Sequence, residues 1–280
     1  MNKDRGRISY YIVVFIFLCL TLAPIIWLVS MSLTEETELL AKNTDIFPKK
    51  IFMGNYQKLL DFNTKESKTL FQGLKNSVIS SGFTLLIGLP SSVLTAYAFT
   101  RYRFKGRKIL ILGLLISITI PVFTTLIPIY SMFAALGILD NLFYISVIYV
   151  SSLLPVNAWM MMNYYKNIPQ DIWEAATIDG CDEKKLFLKV ALPISKPIII
   201  TSGLMIILMS WSQFQIPLIL TSSQKNKVVT LILSEFITRD TISYGIIAAC
   251  GVITVLPPAL LAIIFRKLLV DGMVQGSVKG

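Results

Sequence analysis

The sequence predicts an all-α integral membrane protein with six transmembrane helices. Of its 280 residues, 54% are hydrophobic and only 15% are charged, and the mean hydropathy is +0.68, which exceeds the apolar content of an ordinary soluble domain. A membrane-spanning helix needs roughly 20 apolar residues, and six stretches of about that length contain no Asp, Glu, Lys or Arg. They are residues 10–33, 76–100, 109–133, 143–163, 198–221 and 244–265.

The first predicted span follows Lys3, Arg5 and Arg7 and could be mistaken for a secretory signal peptide. Its apolar run is longer than the roughly 7–15 residues of a typical signal peptide, and no A-x-A cleavage pattern follows it. We therefore expect a retained transmembrane helix, and a single membrane domain over residues 1–280.

The distribution of Lys and Arg predicts that both termini are cytoplasmic, because short cytoplasmic loops hold the excess of basic residues. The connection after the second span is strongly basic, the one after the third (134–141) has no basic residue, and the fourth (164–197) is basic again. Residues 34–75 then form an external loop and residues 266–280 a cytoplasmic tail. The fifth connection, with Lys225, Lys227 and Arg239, is a weak contrary signal.

The net charge of +10 would suggest a nucleic-acid partner in a soluble chain. Here the basic residues cluster at the predicted membrane edges, where they fix topology and meet anionic lipid. We therefore expect membrane lipid, and no nucleic acid, as a partner. Cys19, Cys181 and Cys250 lie in two spans and one loop, so neither a disulfide framework nor a metal cluster is expected.

The sequence indicates a transport protein without an enzymatic reaction of its own. It contains no His, which excludes His-based catalysis and His metal ligation, and no G-x-x-x-x-G-K-[ST] loop to bind nucleotide phosphates. We expect no catalytic residue, cofactor or metal. Ion-coupled carriers usually keep ionisable groups at membrane depth, although sodium sites built from backbone carbonyls escape this argument. The driving energy is therefore expected to come from a partner chain.

Residues 174–197, EAATIDGCDEKKLFLKVALPISKP, interrupt the apolar pattern and predict two short helices joined by a glycine turn. Pro169 suits a first helical turn, and Asp171 and Glu174 place negative charge near the positive end of the helix dipole. Gly180 is typical of a residue that ends a helix, and Asp182 can cap the next one. Helical spacing places apolar residues on one face of each helix: Ile168, Ile172 and Ala175 or Ala176, then Leu186, Phe187 and Val190.

Two other interpretations of this segment remain open at this point. Two helices and a glycine turn also describe a DNA-binding helix-turn-helix, but this one leads within a few residues into a predicted span, which leaves little room to enter a major groove. Alternatively, the first helix could lie on the lipid surface as an amphipathic helix.

The segment resembles the cytoplasmic loop of the inner-membrane permease subunits of binding-protein-dependent ABC importers. That loop reads E-A-A, three residues, G, nine residues, then I-x-L-P, and this chain departs from it only in Val190, which replaces Ile. The resemblance implies that the first helix is a coupling helix, which sits in a cleft of the ATPase subunit. The ATPase-coupling residues are then Glu174, Ala175, Ala176, Asp179, Gly180, Leu192 and Pro193.

Further stretches resemble the smaller permease subunit of maltose-type carbohydrate importers. They are the C-terminal DGMVQGSVKG, the pair Asn55-Tyr56 and the pair Asn76-Ser77. The resemblance implies the six-helix, MetI-like core of type I importers, a second homologous permease, two ATP-binding subunits and an extracytoplasmic solute-binding protein in a bacterial inner membrane. It also implies tail contacts with the ATPase through Gly276, Val278, Lys279 and Gly280, whereas a short glycine-rich terminus is otherwise expected to be disordered.

The predicted spans 3–6 contain prolines, which leave backbone groups without a hydrogen-bond partner. Such unpaired groups are tolerated where a helix lines a cavity or packs on protein. Polar residues in the same spans indicate the path of the solute, because amides and hydroxyls can bind sugar hydroxyls and an indole can stack on a sugar ring. The candidates are Asn157, Trp211, Ser212, Gln213 and Gln215. The alternative is that these side chains join neighbouring helices or form an interfacial belt.

The sequence thus favours a permease subunit of an ATP-driven importer for an oligosaccharide or related polyol. The alternative is a stand-alone secondary carrier or channel for a small neutral solute. We expect the polar external loop, including Lys58 and Lys68, to help dock the solute-binding protein.

Overall fold

The computed structural model describes residues 2–41, 45–238 and 243–268. This described part is helical and contains no strand, so the predicted all-α fold class is confirmed. Four helices are long and apolar enough to cross a membrane, or up to six if each of two bent helix pairs is one span. The first half of the chain forms α1 (Asn2–Ser32), α2 (Glu36–Leu39), α3 (Gly54–Leu60), α4 (Lys65–Arg101), α5 (Arg107–Ser117), α6 (Val122–Ala135) and α7 (Leu142–Lys166).

The second half contains shorter helices before the last long one. They are α8 (Gln170–Ile178), α9 (Glu183–Lys185), a π-helix (Leu186–Ala191), α10 (Leu192–Ile194), α11 (Lys196–Trp211), α12 (Gln215–Leu220), a 3₁₀ turn (Gln224–Asn226), α13 (Val229–Thr238) and α14 (Tyr244–Ile264). The predicted external loop 34–75 thus contains two short helices and the beginning of α4.

The stretch predicted as the third span consists of two helices, because α5 and α6 meet at an angle of 97°. Pro121 lies at this break and precedes α6, where it removes a backbone donor and keeps the preceding residue out of helical geometry. The other prolines behave differently: Pro128 and Pro155 lie inside continuous helices. A second bend of 74° separates the segment Glu183–Ile194 from α11.

The chain divides into two compact units, of which one comprises Met1–Phe71 with Ile232–Pro257. Buried polar contacts organise the described part of this unit. The Asn55 side chain donates to the carbonyl oxygens of Ser32 at 3.1 Å and Thr34 at 3.0 Å. The Glu36 carboxylate accepts from the backbone N–H groups of Tyr244 and Gly245, so it satisfies donors at the beginning of α14.

The other unit comprises Gln72–Leu231 with Pro258–Gly280, and it contains the predicted coupling segment. Two apolar clusters form its core. One joins α4, α7 and α11 around Tyr97, Met161 and Ile198, and the other joins α6, α7 and α12 around Phe133 and Tyr149. The ends of α4 and α7 that precede the coupling segment are therefore held by packed helices.

The connection after α12 is fixed by hydrogen bonds to residues far away in sequence. Asn76 donates to the carbonyl oxygens of Lys225 and Lys227, both at 2.8 Å. The Asp140 carboxylate accepts from the backbone N–H groups of Ser222 and Ser223 at 3.2 and 3.1 Å. Burial raises the pKa of this carboxyl, but the hydrogen bonds donated to it outweigh burial and lower the pKa below its usual value.

Candidate functional site

The predicted coupling segment begins with α8, a helix that ends in a well-defined turn. Pro169 precedes α8 as its N-cap residue, one position earlier than the first-turn site expected. At the other end Gly180 has φ +79°, and the N–H groups of Gly180 and Cys181 donate to the carbonyl oxygens of Thr177 and Ala176 at 3.1 and 3.0 Å. This pair of bonds is a Schellman motif, so the predicted glycine stop is confirmed.

The face of α8 that contacts the rest of the chain carries Trp173, which the sequence pattern did not single out. Trp173 packs against the cluster of α4, α7 and α11, whereas Ile172 is 37% exposed and Ile178 is 85% exposed. Ala175 is also exposed, and Ala176 is half-buried. The apolar residues of α8 are thus divided between an inner face, which carries the large indole, and an open outer face with small or aliphatic residues.

The acidic residues of this segment have defined local partners. Glu174 is exposed and accepts a 2.8 Å hydrogen bond from the Gln170 side chain, one turn earlier on α8. Asp182 accepts from the backbone N–H of Lys185 at 2.8 Å and caps α9 as predicted. Asp179 is exposed and is the C-cap residue of α8.

The second helix of the segment changes its winding, since residues Leu186–Ala191 are π-helical. Leu186 and Ala191 are the buried positions, at 1% and 0% exposure, and Phe187 packs against the same cluster as Trp173. Val190, predicted on the apolar side with Leu186 and Phe187, is partly buried like Phe187. Leu192 is half-buried and Pro193 is exposed.

A cavity of about 650 Å³ lies between the end of α4, the end of α7 and α8. Its lining includes Arg101, Arg103 and Lys166 together with Trp173 and Glu174. The guanidinium of Arg101 lies 5.8 Å from the centre of the Trp173 ring, within the range of a cation–π contact. The cavity therefore adjoins the predicted coupling residues, and these three basic side chains form part of its wall.

Four of the five predicted solute-path residues lie together where α11 ends and α12 begins. Trp211 is 9% exposed, Ser212 is exposed, and Gln213 and Gln215 are half-buried. The backbone carbonyl of Gln213 accepts a 2.7 Å hydrogen bond from the Thr230 hydroxyl. This junction leaves hydroxyl and amide groups near the indole of Trp211.

Asn157 lies apart from that group and joins two helices. Its Oδ1 accepts a 2.8 Å hydrogen bond from the Ser202 hydroxyl of α11, and its Nδ2 donates to the carbonyl oxygen of Leu153 at 2.9 Å. Ser202 precedes Trp211 by nine residues of α11, about 13 Å along a helix axis at 1.5 Å per residue. This arrangement matches the interhelical alternative, and solute contact by Asn157 stays a prediction.

The predicted tail contacts Gly276, Val278, Lys279 and Gly280 lie outside the described residues. Within the described ranges, no group of three or more His, Cys, Asp or Glu side chains could hold a metal ion.

Three residues of the segment were not singled out from the sequence. Trp173 packs against the core cluster, Ile178 is largely exposed, and Glu183 pairs with Arg101. The spacing of Asp171, Ala175 and Ile178, at i, i+4 and i+7, could have indicated the outer face.

Comparisons with known proteins relate this architecture to transport systems. Residues 88–275 match the family described as the binding-protein-dependent transport system inner membrane component. The galactooligosaccharides transport system permease protein of Bacillus subtilis is 31% identical over 284 residues, which cover 99% of this chain and 96% of the relative. The sulfoquinovosyl glycerol transport system permease protein of Agrobacterium fabrum is 30% identical over 276 residues, covering 98% and 95%.

A solved structure also has the same fold. It is a chain from the crystal structure of a bacterial ABC transporter involved in the import of the acidic polysaccharide alginate, and it superposes with a TM-score of 0.79. The match covers 95% of this chain and 98% of that chain, at 21% sequence identity.

Proposed function

This chain belongs to the family of binding-protein-dependent transport system inner-membrane components, and from this premise we propose that it is the permease subunit of an ATP-driven importer that carries an oligosaccharide or related polyol across a bacterial inner membrane. Two relatives that match this chain over nearly its whole length are named for the transport of carbohydrates. They support a carbohydrate solute, and the family supports a transport subunit in which ATP hydrolysis belongs to a separate chain.

The outer face of α8 is the observation that carries the coupling part of the proposal. Ala175 is exposed and Ile178 is 85% exposed, although both belong to a helix that is anchored from its other side by Trp173. Burying an exposed aliphatic side chain of this size contributes about 1.5–3 kcal/mol. An ATP-binding subunit that covers this face would gain that stabilisation, and the Schellman turn at Gly180 would keep the helix end in one geometry.

The proposed assembly contains this chain, a second homologous permease, two ATP-binding subunits and an extracytoplasmic solute-binding protein. The basic ends of α4 and α7 support a cytoplasmic position of α8, which places both termini in the cytoplasm. The external surface then includes the segment from α2 to the beginning of α4, where the solute-binding protein would dock.

For the solute path we propose the junction of α11 and α12. Trp211 offers an apolar ring face, and Ser212, Gln213 and Gln215 offer groups that both donate and accept hydrogen bonds. A carbohydrate presents the complementary combination of C–H surface and hydroxyl groups. We assign Asn157 a supporting role, because its amide oxygen and nitrogen already have partners on α11 and α7.

Co-purification and uptake test the proposal together. Expressed with the genes that adjoin its own, the chain should purify with an ATP-binding subunit and a second permease, and proteoliposomes of the complex should take up carbohydrate only with ATP and the solute-binding protein. Purification of the chain alone, with uptake driven by an ion gradient after ATP is removed, would instead identify a secondary carrier or channel.

A further inference from the structure

Glu183, the first residue of α9, lies at the centre of a polar cluster that reaches back to the end of α4. Its Oε1 is 3.0 Å from Arg101 Nη2, and its Oε2 accepts from the hydroxyls of Tyr102 at 3.1 Å and Tyr97 at 3.4 Å. Both carboxylate oxygens are therefore engaged, and the three donors lie within the six residues 97–102 at the end of α4. We call these four residues the Glu183 cluster.

The cluster joins elements on both sides of the glycine turn to α4. Glu183 follows the turn, whereas Trp173 precedes it on α8, and the Arg101 guanidinium contacts both: it pairs with Glu183 and lies 5.8 Å from the centre of the Trp173 ring. Tyr97 adds ring contacts, since its centroid is 6.3 Å from that of Trp173 and 4.9 Å from that of Phe187. One turn of α4 thus contacts α8, α9 and the π-helix.

The exposure and hydrogen bonding of the Glu183 cluster are better suited to transmitting movement between helices than to stabilising the fold. The side chains of Arg101 and Glu183 remain 30% and 49% exposed, and ion pairs open to solvent contribute little to stability. Their hydrogen bonds are nevertheless directional, and bonds to charged groups are stronger than bonds between neutral groups. A pair of this kind can hold two elements in register while its loss leaves the protein folded.

We propose that Glu183 is a positioning residue that transmits displacement of α8 to α4, so that movement of the coupling helix shifts the membrane helix that ends at Arg101. This inference rests on the proposed coupling role of α8. It adds a specific route, since two donors on the last turns of α4 and a third on the residue after it bind a single carboxylate that follows the glycine turn.

Charge reversal tests the route. Glu183→Arg and Arg101→Glu each replace the attraction by repulsion, and the double variant restores an opposite-charge pair in the reverse order. In reconstituted complexes with both permeases, the ATP-binding subunits and the solute-binding protein, each single variant should lower the solute transported per ATP hydrolysed by about fivefold or more, as expected for residues in direct contact. The double variant should recover part of the wild-type ratio, because the swap restores the ion pair but not the tyrosine hydrogen bonds or the contact with the Trp173 ring.

Two further variants keep the result interpretable. Lys184→Glu reverses the charge of the adjacent exposed residue, which has no ion pair among the described residues, and should transport like the wild type. Tyr102→Phe removes one hydroxyl from Oε2 without changing charge or size and should lower the ratio by about twofold. This neutral variant is informative even if a charge reversal reduces the yield of assembled complex.

A wild-type transport ratio in Tyr102→Phe and in both charge reversals, with complexes assembled in normal yield, would overturn the proposal. So would a double variant with the summed defect of the two single variants. The variant Ile178→Asp tests the coupling role of α8 independently of the Glu183 route. If Ile178→Asp uncouples transport while the Glu183 variants do not, α8 couples the subunits by another route. Normal coupling in all of these variants would refute both ideas.

Discussion

Replacement of Gly180 by valine perturbs the turn that ends α8 without touching any predicted solute contact. The φ angle at this position is +79°, and apart from the adjacent residues no atom of the described part of the chain lies within 4 Å of the place that a Cβ would occupy. A larger side chain therefore meets no neighbour, and the whole cost comes from the backbone. An L-residue in the left-handed region costs about 1–2 kcal/mol, and a β-branched residue lies at the unfavourable end of this range.

This strain predicts the size of the functional effect. If the native turn is required when α8 docks on the ATPase and is relaxed when α8 is undocked, a cost of about 1–2 kcal/mol lowers the ratio of docked to undocked α8 by roughly 5- to 30-fold. Stimulation of ATP hydrolysis by the solute-binding protein should fall accordingly in reconstituted complexes. The affinity of the solute-binding protein for its ligand should not change.

Two variants control for strain and for location. Gly180→Asn should remain close to wild type, because Asn tolerates the left-handed region. Gly106→Val introduces the same kind of strain elsewhere, since Gly106 has φ +85° and no atom within 4 Å of its Cβ position, and it should keep stimulation. Full stimulation of the Gly180→Val complex, together with a lowered melting temperature that reports the strain, would refute the rigid-turn argument.

Three further predictions concern other parts of the chain. Asn157→Leu should lower the free energy of unfolding by about 1–3 kcal/mol by leaving Ser202 without its buried acceptor, while the preference among competing sugars in uptake assays stays unchanged; altered preference would assign Asn157 to the solute path. Because the pKa of Asp140 is lowered on folding, its carboxylate contributes stability above about pH 4, and this is lost as the pH falls through the folded value. Melting temperatures should show that loss in the wild type and not in Asp140→Asn. A cross-linker on Lys58→Cys or on Lys68→Cys, two exposed positions, should capture the solute-binding protein from the external side; labelling of these cysteines from the cytoplasm alone would reverse the topology.

The fold class and the end of α8 follow from local features of the sequence. Long apolar runs without charged residues specify membrane helices whatever their neighbours are, because the backbone must satisfy its own hydrogen bonds in lipid. Gly180 and Asp182 were predictable for a similar reason, since a positive φ and an N-cap bond depend on a few consecutive residues. These are the features in which prediction and structure agree.

Other features depended on which elements meet, and local patterns could not decide them. The run 109–133 reads as one apolar span, but the chain turns by 97° between α5 and α6. On α8, Ile172 and Trp173 are adjacent apolar residues, and only the position of Tyr97 and Phe187 explains why the indole faces inward. The polar residues of the spans had the same ambiguity: sequence alone could not show that Asn157 accepts a hydrogen bond from Ser202 on another helix.

By itself, the sequence determined that this is a helical membrane protein with a loop that resembles the cytoplasmic loop of importer permeases, because hydrophobic length, turn chemistry and motif spacing are properties of neighbouring residues. Only the tertiary structure decided that Glu183 meets Arg101, 82 positions earlier in the chain, and that Ile178 stays on the open side of α8. Side-chain pairing over such a separation depends on how α4, α7 and the π-helix pack against one another. The charges of Glu183 and Arg101 are each compatible with many partners, and only this packing brings the two side chains within hydrogen-bond distance.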